Sequence, residues 1–127
     1  MNGLHLIADL HDCRCTPTRL LDAPALESYC VDACRRYGLT VVGQLFHAFR
    51  DAQNLPAGVT GTVVLAESHL ALHTWPEIQA VALDIYVCNF SGDNSTRAQA
   101  LFEETIARFA PGRIEKREIQ RGSLGFP

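Results

Sequence analysis

Twelve residues just past the middle of the chain, Ala66 to Glu77 (AESHLALHTWPE), hold most of the side chains capable of chemistry: Glu67, Ser68, His69, His73, Trp75 and Glu77. A serine beside two histidines invites a hydrolase reading. Ser68, however, lacks the small flanking residues of a Gly-x-Ser-x-Gly elbow. His69, His73 and Glu77 recur every four residues, so on a helix they would share one face and could hold a metal. Pro76 and the strand-like flanks argue against a helix there, which weakens zinc hydrolysis. A third chemistry needs no external ligand. The Ser68 hydroxyl can attack the carbonyl that precedes it, converting the Glu67–Ser68 peptide to an ester. Removal of the Ser68 α-proton then expels the Glu67 carboxylate and leaves dehydroalanine, which hydrolyses to a pyruvoyl group. Such a rearrangement needs a strained turn, a donor to the oxyanion and a base for the α-proton. Thr60 and His73 supply a hydroxyl and an imidazole nearby in the sequence.

The elements that must position these residues follow from periodicity and punctuation. Gly3–Leu10 reads as a first strand. Asp22 is a candidate cap for a helix that opens near Pro24, runs through ALESYCVDACRRY and stops at Gly38. LTVVGQLFHAF is rich in β-branched and aromatic residues and reads as a second strand, followed by a polar loop, RDAQNLPAG (50–58). VTGTVVLA gives a third strand. Ala80–Cys88 gives a fourth, whose continuous apolar run implies a central, buried place. An Asn or Ser at the end of NFSGDNS can cap a second helix, with Ala98, Leu101, Phe102, Ile106 and Phe109 on one face. RIEKREIQR closes the chain as a charged edge strand. The expected fold is α/β of the α+β kind. It is a two-layer sandwich in βαβββαβ order, with a largely antiparallel sheet covered on one face by two helices.

Bulk properties bound the function. The 127 residues are 47% hydrophobic and 20% charged, the make-up of one globular domain spanning 1–127. A formal net charge of −3 argues against a nucleic-acid partner held by bulk electrostatics. No apolar run approaches the roughly 18 residues of a membrane span, and the N-terminus lacks the basic start of a signal peptide. A cytoplasmic location is therefore expected. The five cysteines (Cys13, Cys15, Cys30, Cys34 and Cys88) are then thiols. Cys30 and Cys34 fall one helical turn apart and read as small buried residues. A zinc site is the lesser reading, because Cys13-x-Cys15 is a poor bite for a tetrahedral metal.

AESHLALHTWPE resembles the self-cleavage segment of the prokaryotic S-adenosylmethionine decarboxylase proenzymes. The likeness extends in order to HLIADL followed by a cysteine, to FHAF, to GVTG and to LDIYV before Cys88. The resemblance implies cleavage between Glu67 and Ser68, giving chains 1–67 and 68–127, with Ser68 becoming a covalent pyruvoyl cofactor. It implies that His73 and Thr60 assist processing and that Cys88 returns a proton to the substrate carbon. Phe49, Trp75 and Glu77 fall at positions around the nucleoside. No metal is implied. The implied reaction is a decarboxylation in polyamine biosynthesis on a small amino-acid-type substrate. The implied assembly is a homodimer of processed protomers, away from membranes and nucleic acid. The pyruvoyl ketone is an electron sink that needs no separate cofactor.

The residues taken alone leave other readings. His69 also fits a hydrogen-bonding turn residue, Trp75 either core or pocket, and Phe49 core; His5, His11 and His47 carry no usable signal. Three departures from the family pattern bear on the pocket: Thr60 where serine is usual, a 50–58 loop that looks long, and Asn89 where glycine is common. They keep ornithine or arginine open as alternative substrates. An unprocessed, non-catalytic subunit that binds a partner is a further alternative.

Overall fold

Alternation decides which side of each strand is buried, and here it divides the sheet into a dry face and an open one. The computed structural model describes residues 2–89 and 92–122. Their elements are β1 (Gly3–Cys13), α1 (Thr18–Leu21), α2 (Ala23–Arg36), β2 (Val41–Arg50), β3 (Pro56–Leu65), β4 (Ser68–Trp75), a 3₁₀ turn (Pro76–Ile78), β5 (Ala80–Cys88), α3 (Ser95–Arg108) and β6 (Pro111–Arg121). The six strands form one sheet in the order β2-β3-β4-β5-β1-β6, every pair antiparallel. β5 lies inside the sheet and β6 at its edge, as their apolar and charged compositions imply.

Leu4, Leu6, Ala8 and Leu10 of β1, Leu70 and Leu72 of β4, and Leu83, Ile85 and Val87 of β5 all point to one side. There they meet Leu26, Cys30 and Cys34 of α2 and Ala98, Leu101, Phe102 and Ile106 of α3. The expected two-layer α+β sandwich is the architecture found. It holds one strand more than the βαβββαβ order: β4, which the chemistry-bearing segment itself forms. An eight-residue strand with Leu70, Leu72 and Thr74 inward and His69, Ala71, His73 and Trp75 outward alternates strictly, and that period excludes a helix.

Local signals set the helix limits. Asp22 accepts from the Ala25 N–H at 3.0 Å, the expected cap. Gly38 takes φ +78° just past α2, and the Leu39 N–H returns to the Cys34 carbonyl at 3.0 Å. At α3 the capping side chain is Asp93, which accepts from the Ser95 N–H at 2.9 Å, in place of the expected Asn94 or Ser95. The polar loop is short. Only residues 51–55 separate β2 from β3, and Asp51 Oδ1 gathers the N–H groups of Gln53 and Leu55. Of segment 50–58, Arg50 and residues 56–58 belong to the strands and the other five residues form the loop. On the helix side the Phe46 ring covers Gly61, where an added β-carbon would lie 2.2 Å from it.

Candidate active site

The Glu67–Ser68 peptide sits at the tightest point of the sheet. Leu65 pairs with Ser68, so only Ala66 and Glu67 connect β3 to β4. Glu67 takes φ +62°, the left-handed region that a side chain with a β-carbon enters at a cost of roughly 1–2 kcal/mol. Glycine or asparagine is the usual occupant of such a position. The chain therefore carries backbone strain at the residue whose carbonyl Ser68 would attack. Ser68 Oγ is also held: it accepts the Cys88 N–H at 3.1 Å, which ties the start of β4 to the end of β5. The Cys88 side chain is 7% exposed at this same end of the sheet.

Behind Cys88 the chain is pinned by amides. Asn94 Nδ2 donates to the Cys88 carbonyl at 3.1 Å, and Asn89 Oδ1 accepts the Asn94 N–H at 2.8 Å. Asn89 does not take a positive φ, so a glycine is not required there. Its side chain instead braces the turn into α3, donating to Ser95 Oγ at 3.0 Å.

The remaining expected residues gather at the other end of β4. Thr60 and His73 face each other across the β3–β4 pair, with Thr60 Oγ1 and His73 Nδ1 2.5 Å apart. The Trp75 ring lies 6.2 Å from that of His73. Phe49, Thr60, His73 and Trp75 line one shallow cavity of about 220 Å³. Phe49 is 48% and Trp75 42% exposed, so neither is core within one chain. Beneath them Thr74 fixes the register, its Oγ1 accepting from the Val59 N–H and donating to the Leu20 carbonyl. Glu77 is exposed on the 3₁₀ turn that follows.

Two half-sites result. Ser68 and His73 are five residues apart on one extended strand, roughly 17 Å at strand rise. One chain cannot bring that imidazole to its own Ser68. The same spacing sets His69 and His73 roughly 13 Å apart, too far to chelate one metal, and this removes the zinc-hydrolase reading.

Sequence reasoning missed a cluster on the open face. His5 and His69 both direct Nε2 at the Asp84 carboxylate, the latter at 3.6 Å, and the Tyr86 ring stands 5.9 Å from each imidazole. These three groups bring potential ligand atoms within 4.8 Å of one another. His5 hydrogen-bonds to Asp84, whereas His69 approaches the same carboxylate at 3.6 Å, beyond hydrogen-bond reach, and pairs with it only when its imidazole is protonated. Strand register joins His5 to Asp84 across 79 positions of sequence, beyond the reach of any local motif. The helix-side cysteines are inert by contrast. Burial pushes the thiols of Cys30 and Cys34 up to about 12 and that of Cys13 up to about 11.

Comparison with known proteins points one way. A family model described as S-adenosylmethionine decarboxylase matches residues 4–122. The chain is 36% identical over 123 residues to an S-adenosylmethionine decarboxylase proenzyme of Methanococcus maripaludis, covering 96% of this chain and 91% of that protein. It is 37% identical to the proenzyme of the same name from Picrophilus torridus, over 95% of this chain and 85% of that one. The crystal structure of the adenosylmethionine decarboxylase from Aquifex aeolicus superposes with a TM-score of 0.82 at 28% identity, covering 98% of this chain and 94% of that chain.

Proposed function

The chain belongs to the S-adenosylmethionine decarboxylase family, and on that premise we propose that it is a self-processing, pyruvoyl-dependent enzyme that removes the carboxyl group of S-adenosylmethionine. The observation that carries this reading is the left-handed Glu67 at a two-residue turn, followed by a Ser68 hydroxyl already held by a backbone N–H. A strained acyl group and a fixed nucleophile are what an intramolecular N-to-O acyl shift requires. Cleavage gives chains 1–67 and 68–127, and residue 68 then supplies the electron sink that decarboxylation needs.

This chain's own residues divide the remaining work. His73, hydrogen-bonded through Nδ1 to Thr60, has Nε2 left to assist processing at a Glu67–Ser68 bond. Threonine keeps the hydroxyl that serine offers, and here its Oγ1 meets the imidazole directly. The Cys88 thiol, beside residue 68, is the proton donor to the substrate carbon. Phe49 and Trp75 present aromatic faces suited to an adenine ring and a sulfonium, and Glu77 offers a carboxylate to ribose hydroxyls.

A second copy of the chain completes the site. The open face exposes Leu45, Phe49, Val64, Trp75 and Ile119, an apolar surface that a lone protomer leaves wet. The 220 Å³ cavity is also smaller than the roughly 300–1,000 Å³ of typical ligand pockets. A twofold pairing through this face sets each Ser68–Cys88 end against the partner's Thr60–His73 end, so a homodimer holds two whole sites. Among the described residues no helix is long and apolar enough to cross a membrane, and the proposed setting is the cytoplasm.

Denaturing mass spectrometry tests the processing. Two chains divided at Glu67, the second bearing a pyruvoyl mass in place of serine, are expected; a persistent single chain refutes the proposal. Carboxyl-labelled S-adenosylmethionine, ornithine and arginine then test the substrate. Label is expected from the first alone, and release only from ornithine or arginine would overturn that assignment.

A further inference from the structure

A second cavity, of about 340 Å³, opens at the Ser68 end of β4. Ala66 and Ser68, which flank Glu67, line it together with Asp93, Asn94 and Arg97. Arg97 lies across Gly38: its Nη1 would stand 3.6 Å from a β-carbon built there. Its one hydrogen bond among the described residues is a long one, Nη1 to Asn94 Oδ1 at 3.5 Å. It forms no ion pair among the described residues. The Asp93 carboxylate that shares the cavity is engaged in capping α3 through the Ser95 N–H. In the uncleaved chain a guanidinium therefore borders the nucleophile's cavity without a carboxylate of its own.

The proposed cleavage makes one. Ser68 Oγ bonds to the Glu67 carbonyl carbon, and the peptide C–N bond breaks. The Ser68 α-proton then passes to a base, the Cβ–Oγ bond breaks, and its electron pair leaves on Oγ. The leaving group is the α-carboxylate of Glu67, which carries its original carbonyl oxygen and the former Ser68 Oγ. Water takes the amine off residue 68 as ammonia. Ser68 lines the cavity, so the new carboxylate arises at its edge. A planar guanidinium is the side chain that best matches a carboxylate, with two parallel hydrogen bonds.

We infer that Arg97 is the receptor for the α-carboxylate of Glu67 released by self-cleavage, an ion pair that the precursor lacks and the processed enzyme gains. The cavity is thus a binding site for this chain's own new terminus. Arg97 acts as a positioning residue: it draws the severed end aside from residue 68 and holds the two chains together where they were cut.

This inference rests on the proposed cleavage, and the test separates the two. Arg97→Gln and Arg97→Lys are made in the processed enzyme and in the uncleavable Ser68→Ala chain. In the processed enzyme Arg97→Gln should lower Tm by about 3–6 °C, the size of a charge-assisted pair of about 1 kcal/mol. Arg97→Lys should restore part of the loss. In Ser68→Ala neither change should move Tm by more than about 1 °C. With ¹³C in the Glu67 carbonyl, the new carboxyl should titrate below the usual range of about 3.3–3.7 and return to it in Arg97→Gln. KM for S-adenosylmethionine should stay within about twofold. Equal Tm losses in both backgrounds make Arg97 an ordinary structural residue and overturn the inference. So does a large rise in KM with unchanged two-chain stability, which would give Arg97 to the substrate's carboxylate instead. A wild-type chain that never cleaves shows itself by mass before any variant is compared, and it overturns the cleavage reading along with this one.

Discussion

Replacing Glu67 by glycine separates the backbone's contribution from the carboxylate's. Glu67 holds φ +62°, where a β-carbon costs roughly 1–2 kcal/mol. In the proposed cleavage, ester formation and loss of the carboxylate free this residue from the turn, so the strain belongs to the precursor and is released along the reaction. If all of it is released by the rate-limiting step, its removal slows cleavage about 5- to 30-fold, at about 1.4 kcal/mol per factor of ten. The same change in the uncleavable Ser68→Ala chain should stabilise the fold. Relief of the strain is offset by about 0.5–1 kcal/mol of added freedom in the unfolded chain, leaving roughly 0.75 kcal/mol at the midpoints of the two ranges. That corresponds to about 2–5 °C in Tm. Glu67→Ala is the control, because it keeps the β-carbon and its strain while removing the carboxylate. It should cleave within about twofold of the native rate, as a surface change should. The assay is the loss of the intact-chain mass with time after synthesis in a cell-free system, with thermal melts of the Ser68→Ala pair beside it. Glu67→Gly cleaving as fast as the native chain, or Glu67→Ala as slow as Glu67→Gly, refutes the assignment of strain to processing.

Cys88 meets Ser68 through its backbone N–H, so Cys88→Ala should still cleave while carbon dioxide release falls by about 10²- to 10⁴-fold; a failure of cleavage would give the thiol a part in processing. Ser68→Ala and His73→Ala should each remain uncleaved alone. Unfolded together and refolded as a mixture, they should yield cleavage of the His73→Ala chain only; an intact mixture, or His73→Ala cleaving by itself, rules out a site shared between copies. Glu104 accepts hydrogen bonds from Arg36, Tyr29 and Tyr37, and chiefly the Arg36 guanidinium holds its carboxyl down at about 2. A carboxyl depressed by folding stabilises the fold above its ordinary value of 4.5 and loses that contribution as pH falls toward about 2. Because the site is partly open to solvent, Glu104→Gln should cost on the order of 1–2 kcal/mol near neutral pH and almost nothing near the bottom of that window. A melting difference that stays constant down to about pH 2 would sink this account.

What the sequence made legible is what is decided locally. Asp22 and Gly38 each name their role by residue type and position, and both perform it. The apolar face of α3 and the charged, edge-strand make-up of β6 likewise need only neighbours a few residues away. The strand β4 escaped notice for a physical reason. Its inward residues Leu70, Leu72 and Thr74 alternate with two histidines and a tryptophan, and the i, i+4 spacing of His69 and His73 suits a helix as well as it suits one strand face. Without β4, Thr60 and His73 pass for neighbours of Ser68; with it, they stand at the far end of a strand. The His5–Asp84–His69 cluster and the Arg97 cavity depend on register and on how a helix settles over a strand end, which short-range pattern does not encode.

The order β2-β3-β4-β5-β1-β6 has a further consequence for the proposed cut at Glu67. Strands β1, β2 and β3 fall to the first fragment and β4, β5 and β6 to the second, so β1 is clasped between two strands that are no longer covalently joined to it. Neither fragment has a sheet of its own to return to, for each would be left with gaps where the other's strands had been. Folding of the intact chain is a first-order event; reassembly of the two pieces is second-order and slows with dilution. Folding must therefore precede the cut. The proposed cut would tie the fold's stability to the concentration of its pieces, and a molecule that unfolds after maturing would have to refold by a route other than the one by which it formed.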